Sequence, residues 1–137
     1  MPKGSCLCGK SGVEFKTYPE FKILCYCTDC KKVSGSIFGC SILIPKSEVT
    51  TKGSLKQVTV HAESGRPITN SFCPDCGTTL FREGPILPDT IIIKTGVLDD
   101  AVDFENLKPM GEAYTCNRPE WVTHRVGEQY VGAPPGL

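Results

Sequence analysis

The sequence predicts a mostly β domain of short antiparallel strands stapled together by metal, and three observations predict it. Fourteen glycines and eleven prolines are spread through 137 residues and cut the chain into short segments. Those segments are rich in β-branched and aromatic residues, the composition of strands bounded by turns. Seven of the nine cysteines fall into three tight clusters, Cys6-Leu7-Cys8, Cys25-Tyr26-Cys27-Thr28-Asp29-Cys30 and Cys73-Pro74-Asp75-Cys76.

Taken in order, strands are expected over 12–15, 37–44, 55–60, 79–81 and 90–95, each bounded by Gly, Pro, Asp or Ser. No window carries a helical stripe of ten residues or more. One short helix is expected to start after Thr28 or Asp29, run through Lys31 and Lys32, and stop at Gly35. The length suits one domain with a real core, taken as residues 1–131. The Gly-Ala-Pro-Pro-Gly-Leu tail, 132–137, is expected to be extended or frayed.

Fifteen basic and fifteen acidic residues cancel, so no long-range field draws the chain to nucleic acid or to a membrane. The longest apolar run, 91–93, is far too short to span a bilayer. The opening Met1-Pro2-Lys3-Gly4 has no apolar stretch of the signal-peptide kind. Reduced cysteine clusters without an export signal imply an intracellular, cytoplasmic protein with small-molecule partners.

The cysteine spacing carries the chemistry. A disulfide framework is the bland alternative, but the count is odd, and disulfides tend to join cysteines distant in sequence. C-x-C and C-x-x-C pairs instead offer two thiolates from one turn to a single ion. Zinc held for structure takes four protein ligands; zinc held for chemistry typically takes three and keeps a position open. Cys6, Cys8, Cys73 and Cys76 therefore suggest a closed site, and Cys25, Cys27 and Cys30 an open one, two Zn²⁺ per chain. Bound as thiolates, the four add about −2 and the three about −1 to the formal charge. Gly9 and Gly77, one after each pair, permit the positive φ that a turn folding back on the sulfurs needs. A second closed site, or redox-active thiols without metal, are the other readings of the triplet.

Together these motifs carry a family resemblance. Gly-Ser-Cys-Leu-Cys-Gly at 4–9, Cys-Tyr-Cys-Thr-Asp-Cys-Lys-Lys-Val-Ser-Gly-Ser at 25–36 and Phe-Cys-Pro-Asp-Cys-Gly-Thr-Thr-Leu-Phe at 72–81 resemble the glutathione-dependent formaldehyde-activating family. Its members share a domain with centromere protein V. The segment Asn117-Arg-Pro-Glu-Trp121 is similar to the family's C-terminal tryptophan segment. The resemblance implies a β-tent fold, zinc-dependent carbon–sulfur lyase chemistry and glutathione as the thiol. It also implies that Cys6, Cys8, Cys73 and Cys76 hold a structural zinc and Cys25, Cys27 and Cys30 a catalytic one. Tyr26 stands where many members have histidine, and a tyrosine cannot shuttle protons near neutrality.

Residues outside the clusters are read as follows. Cys40 is expected to be a small buried hydrophobe, and Cys116 is the outside candidate for a fourth ligand. His61 and His124 have no ligand spacing. Lys31 and Lys32 are the candidate partners for a carboxylate of glutathione, with Arg82 a weaker one, and Trp121 reads as a core or lid aromatic. The expected reaction joins glutathione to an aldehyde such as formaldehyde, giving S-hydroxymethylglutathione, or cleaves that adduct. The alternatives are the same chemistry on a glutathione conjugate of a metabolite, and a non-enzymatic zinc-stapled module that binds a protein.

Overall fold

Period-two alternation in the apolar strands decides the architecture. In the computed structural model, which describes residues 1–100 and 105–137, eleven strands form two sheets and one α-helix follows the end of the third strand. The strands are β1 (Lys3–Ser5), β2 (Gly12–Phe15), β3 (Lys22–Cys25), β4 (Gly39–Pro45), β5 (Val49–Lys52), β6 (Lys56–His61), β7 (Pro67–Phe72), β8 (Thr79–Glu83), β9 (Thr90–Lys94), β10 (Gly111–Ala113) and β11 (Glu128–Gln129). The helix α1 covers Thr28–Ser34. A small sheet runs β1-β2-β5, and a large one runs β11-β10-β3-β4-β9-β8-β7-β6.

Side chains alternate across β4 and β9, where Ile42 faces Ile93 and Ile44 faces Ile91 in register. These four isoleucines are at most 3% exposed and join Val13 and Phe15 of β2 in the core between the two sheets. The residues between them, Leu43 opposite Ile92 and Ser41 opposite Lys94, belong to the other face. There they line a cavity together with Ile23 and Cys25 of β3 and Arg82 of β8, Lys94 excepted. The large sheet thus carries a core on one face and an accessible site on the other.

The mostly β class is as expected, and the pairing is largely antiparallel. The exception is β10, which runs parallel to both β3 and β11. The expected strands at 12–15, 55–60, 79–81 and 90–95 each appear within about two residues; the one expected over 37–44 begins at Gly39. The helix also falls where expected and ends at Gly35, whose amide bonds the Lys31 carbonyl at 2.9 Å. Among the described residues, no helix is long and apolar enough to cross a membrane.

Two expectations are corrected. The tail does not hang free: the Gly132 carbonyl accepts from the Tyr114 amide at 3.0 Å, Pro134 is buried, and Ala133, Pro134 and Leu137 wall the cavity. Proline supplies a rigid apolar surface without needing a hydrogen-bond donor, so a Pro-Pro tail can pack where a sheet cannot form. Trp121 is not a core aromatic, being 72% exposed, and it does not line the cavity beside the triplet.

Candidate metal centres and the cavity beside them

All nine cysteines are free thiols. The Sγ atoms of Cys6, Cys8, Cys73 and Cys76 lie within 4.8 Å of one another, and so do those of Cys25, Cys27 and Cys30. In the first cluster Cys8 Sγ stands 3.5 Å from Cys6 Sγ and 3.7 Å from Cys73 Sγ. Four sulfurs at ordinary zinc–sulfur bond lengths have tetrahedral edges of about 3.8 Å, so this donor set fits the ion. The turns are built as the glycines require: Gly9 and Gly77 have φ of 79° and 78°, and their amides bond the Cys6 and Cys73 carbonyls at 2.9 Å. The Ser11 amide donates to Cys6 Sγ at 3.2 Å. The side-chain hydroxyl and backbone amide of Thr78 hold the Cys76 thiol down to about 5, the state in which sulfur binds metal.

The triplet is wrapped around the start of α1. Cys25 ends β3, Cys27 caps the helix by accepting from the Cys30 amide at 3.3 Å, and Cys30 sits in the first turn. The Cys27 amide points at Cys25 Sγ from 3.4 Å. Amides aimed at sulfurs stabilise thiolates and orient them toward a common ion. Two buried cations meet the same cluster. Arg82 Nη1 lies 3.7 Å from Cys30 Sγ, and Lys94 Nζ lies 4.0 Å from it; the two residues are only 5% and 8% exposed. Hydrogen bonds from Cys25 and Cys27 hold the Cys30 thiol down to about 2 against its burial, with Lys94 and Arg82 adding their charge. The sulfur neighbours Cys27 and Cys30, together with burial, push Cys25 far above the ordinary thiol range. As free thiols the cluster thus carries its charge on Cys30; a bound metal deprotonates all three.

A cavity of about 190 Å³ opens beside the triplet and is lined by all three cysteines. Tyr114 also lines it, with φ 53° and ψ 45°, the one non-glycine residue of positive φ among those described. Such a conformation is strained for a bulky side chain and concentrates at functional sites. Burial, then the Cys27 and Cys25 sulfurs, push the Tyr114 hydroxyl up, so it stays an O–H donor. Across the mouth, the β6–β7 turn is latched to α1 by two reciprocal bonds. The Thr28 amide donates to Glu63 Oε2 at 2.9 Å, and the Glu63 amide to Asp29 Oδ2 at 2.7 Å. A larger cavity of about 620 Å³ is lined by Phe38, Cys40, Thr78, Lys94 and Val97, among others, and by none of the seven clustered cysteines. Donor atoms rather than volume locate the chemistry.

The remaining expected residues are placed as follows. Lys31 and Lys32 lie on α1, neither lining the cavity at the triplet. Arg82 is the stronger cation, and Lys94 was invisible because it reads as the polar end of an Ile-Ile-Ile strand. Tyr114 was invisible because its backbone conformation has no sequence signature. Cys40 is half-buried rather than fully buried. Cys116 is exposed and outside both sulfur clusters, and His61 and His124 are exposed. Tyr26, 1% exposed, does not line the cavity; its hydroxyl donates to Glu112 Oε1 at 3.2 Å.

Fold and site define a small, mostly β domain with a four-sulfur and a three-sulfur cluster suited to metal, the second at the end of a cavity. The chain belongs to the glutathione-dependent formaldehyde-activating enzyme family, whose model matches residues 1–117. It is similar in fold to a Rhodobacter sphaeroides protein of known crystal structure, with a TM-score of 0.56 and 18% identity over 74% of this chain and 94% of that one. No curated protein matches the chain.

Proposed function

We propose that this protein is a zinc-dependent enzyme that makes or breaks a carbon–sulfur bond between glutathione and a carbonyl carbon. The observation that carries the reading is the triplet: three sulfurs within 4.8 Å, on the wall of a cavity, with two buried cations against one of them. Cys25, Cys27 and Cys30 are the catalytic-site ligands, and Cys6, Cys8, Cys73 and Cys76 hold a second zinc that staples the N-terminal strands to the β7–β8 turn. Zinc held by three thiolates supplies acidification of a fourth, incoming thiol and polarisation of a bound oxygen.

Charge explains why Arg82 and Lys94 stand where they do. Three thiolates on Zn²⁺ leave about −1, and an incoming thiolate makes about −2. Two buried cations offset that charge, so the site favours a fourth thiolate over neutral water. Tyr114 donates a hydrogen bond to the carbonyl oxygen as carbon–sulfur bond formation pushes electrons onto it. In the cleavage direction the same cations stabilise the departing thiolate. Lys31 and Lys32 are proposed contacts for the carboxylates of glutathione outside the cavity. A cytoplasmic location, where thiols stay reduced and glutathione is abundant, suits both clusters.

The test is zinc per chain by elemental analysis on wild type and Cys27→Ser, each with and without glutathione. Two zincs in wild type, one in a folded Cys27→Ser, and a glutathione-sensitive metal only in wild type are expected. One zinc in wild type and indifference to glutathione would overturn the proposal.

A further inference from the structure

The face of the large sheet that holds the triplet is unusual in what it leaves uncovered. β4 and β9 are central strands, and on their core face Ile42 and Ile93 are 0% exposed. On the other face their neighbours Leu43 and Ile92 are only half-buried and look into the cavity. Ile23 and Ile68 extend that apolar floor onto β3 and β7, and Ile86 and Leu87 raise a wall from the β8–β9 loop. None of Leu43, Ile68, Ile86, Leu87 or Ile92 belongs to the packed core. A layer of aliphatic side chains in mid-sheet that lies outside the packed core and lines a cavity beside the candidate metal cluster forms a binding surface.

The polar groups of the cavity are few and mostly engaged. Arg82 is bonded to Asn70 and directed at Cys30, and Ser41 accepts from Lys94. That leaves Ser64, Arg66, Tyr114 and the Nη2 of Arg82, a buried donor without a partner. A tripeptide with two carboxylates and an ammonium would lose its hydration against isoleucine and leucine with too few replacement partners for its three charges. Only the sulfur of glutathione therefore belongs inside. Formaldehyde, with a single carbon, would leave the apolar floor unused. A dry apolar cavity of about 150 Å³ is enough for benzene, and this one is about 190 Å³.

We infer that the cavity beside Cys25, Cys27 and Cys30 receives an apolar substituent of roughly six to eight carbon atoms on the aldehyde partner. The adduct this chain handles is then that of an aryl or branched alkyl aldehyde rather than of formaldehyde. The step balances without an oxidant or reductant. The thiol sulfur forms a bond to the carbonyl carbon, the π pair of the C=O bond moves onto oxygen, and the thiol proton ends on that oxygen. The apolar group stays on the carbon, one bond from sulfur, which sets it next to the triplet. This inference rests on the thiol chemistry proposed above.

The experiment is calorimetric binding of S-benzylglutathione, S-methylglutathione and glutathione to the zinc-loaded protein and to Ile92→Ala and Leu43→Ala, with zinc content as the check on folding. In the wild type, S-benzylglutathione is expected to bind about ten- to hundredfold more tightly than S-methylglutathione. That preference is expected to shrink severalfold in the zinc-retaining variants while glutathione affinity holds. Equal affinity for the two S-substituted forms, with glutathione still bound, would overturn the apolar site and leave the thiol chemistry standing. A benzyl preference untouched in both variants would also overturn it, since the group would then sit elsewhere. Failure of all three to bind would remove the thiol reading and this inference together.

Discussion

The Arg82 guanidinium stands 3.7 Å from the Cys30 sulfur, while its Nε donates to Asn70 Oδ1 at 2.8 Å. Asn70 is itself 5% exposed, so the cation is locked by a buried amide rather than free to swing into solvent. Its position follows from register: Arg82 pairs with Asn70 on one side and Ile92 on the other, two residues along from the Lys94 that approaches the same sulfur. If these cations offset a fourth thiolate, Arg82→Met and Lys94→Met each weaken glutathione binding by at least about tenfold. The metal ligands are untouched, so zinc content stays at the wild-type value. Titrating the cobalt-substituted protein with glutathione and following the thiolate charge-transfer absorption measures this; unchanged affinity would assign both cations to folding alone.

Tyr114 makes a separable contribution. Tyr114→Phe keeps the ring and the backbone geometry but removes the O–H donor. Turnover is expected to fall about 10²-fold or more with thiol affinity unchanged. Steady-state kinetics with glutathione held at saturation reads the split between kcat and binding. A loss confined to KM would instead make Tyr114 a wall of the cavity.

Tyr26 is expected to behave in the opposite way. Its hydroxyl serves Glu112, and its ring lies under Arg118 at 5.8 Å, so it ties the C-terminal segment to the triplet without touching the cavity. Tyr26→Phe leaves Glu112 with its bonds from the Val126 amide and Gln129. A loss of about 1 kcal/mol of stability is expected, with zinc content and turnover kept. Chemical denaturation and elemental analysis check both halves. A large fall in turnover would restore the acid–base role that histidine at this place would suggest.

Glu112 gives a pH dependence of known sign. Burial pushes its carboxyl up, but hydrogen bonds from Val126, Gln129 and Tyr26 and the charge of Arg118 outweigh that and hold it below the ordinary carboxylate range. A depressed native value stabilises the fold above the unfolded-state pKa, about 4.3 for glutamate. That stabilisation disappears as pH falls through the native value. The stability difference between wild type and Glu112→Gln is therefore expected to be full near neutrality and to vanish in acid. Denaturant midpoints of both proteins across that range measure it, and a constant difference would show that the carboxylate charge contributes nothing.

Much of the candidate site was legible because the clustering of these sulfurs is a local property of sequence. Two cysteines separated by one or two residues in a turn readily present their sulfurs together, and Gly9 and Gly77, one after each pair, take the positive φ of such a turn. The same locality made the helix at Thr28–Ser34 readable from its cap and its stop. Strands β3 and β7 were not readable. β3 is cut short by the cysteines that end it, and β7 begins at a proline and carries Thr69, Asn70 and Ser71, polar residues whose burial comes only from their neighbours.

By itself the sequence determined the two sulfur clusters, their division into four and three, the mostly β class and the family. These depend on residues close in the chain, where bond geometry leaves few choices. Tertiary structure alone decided what surrounds the sulfurs. The β4–β9 and β8–β9 registers put Arg82, Lys94, Leu43 and Ile92 on one face of the sheet. The tail and the hairpin turn at Glu63 closed the cavity from two sides. Contacts of this kind join residues far apart in sequence, and a shift of register by one residue would have turned every one of those side chains into the core.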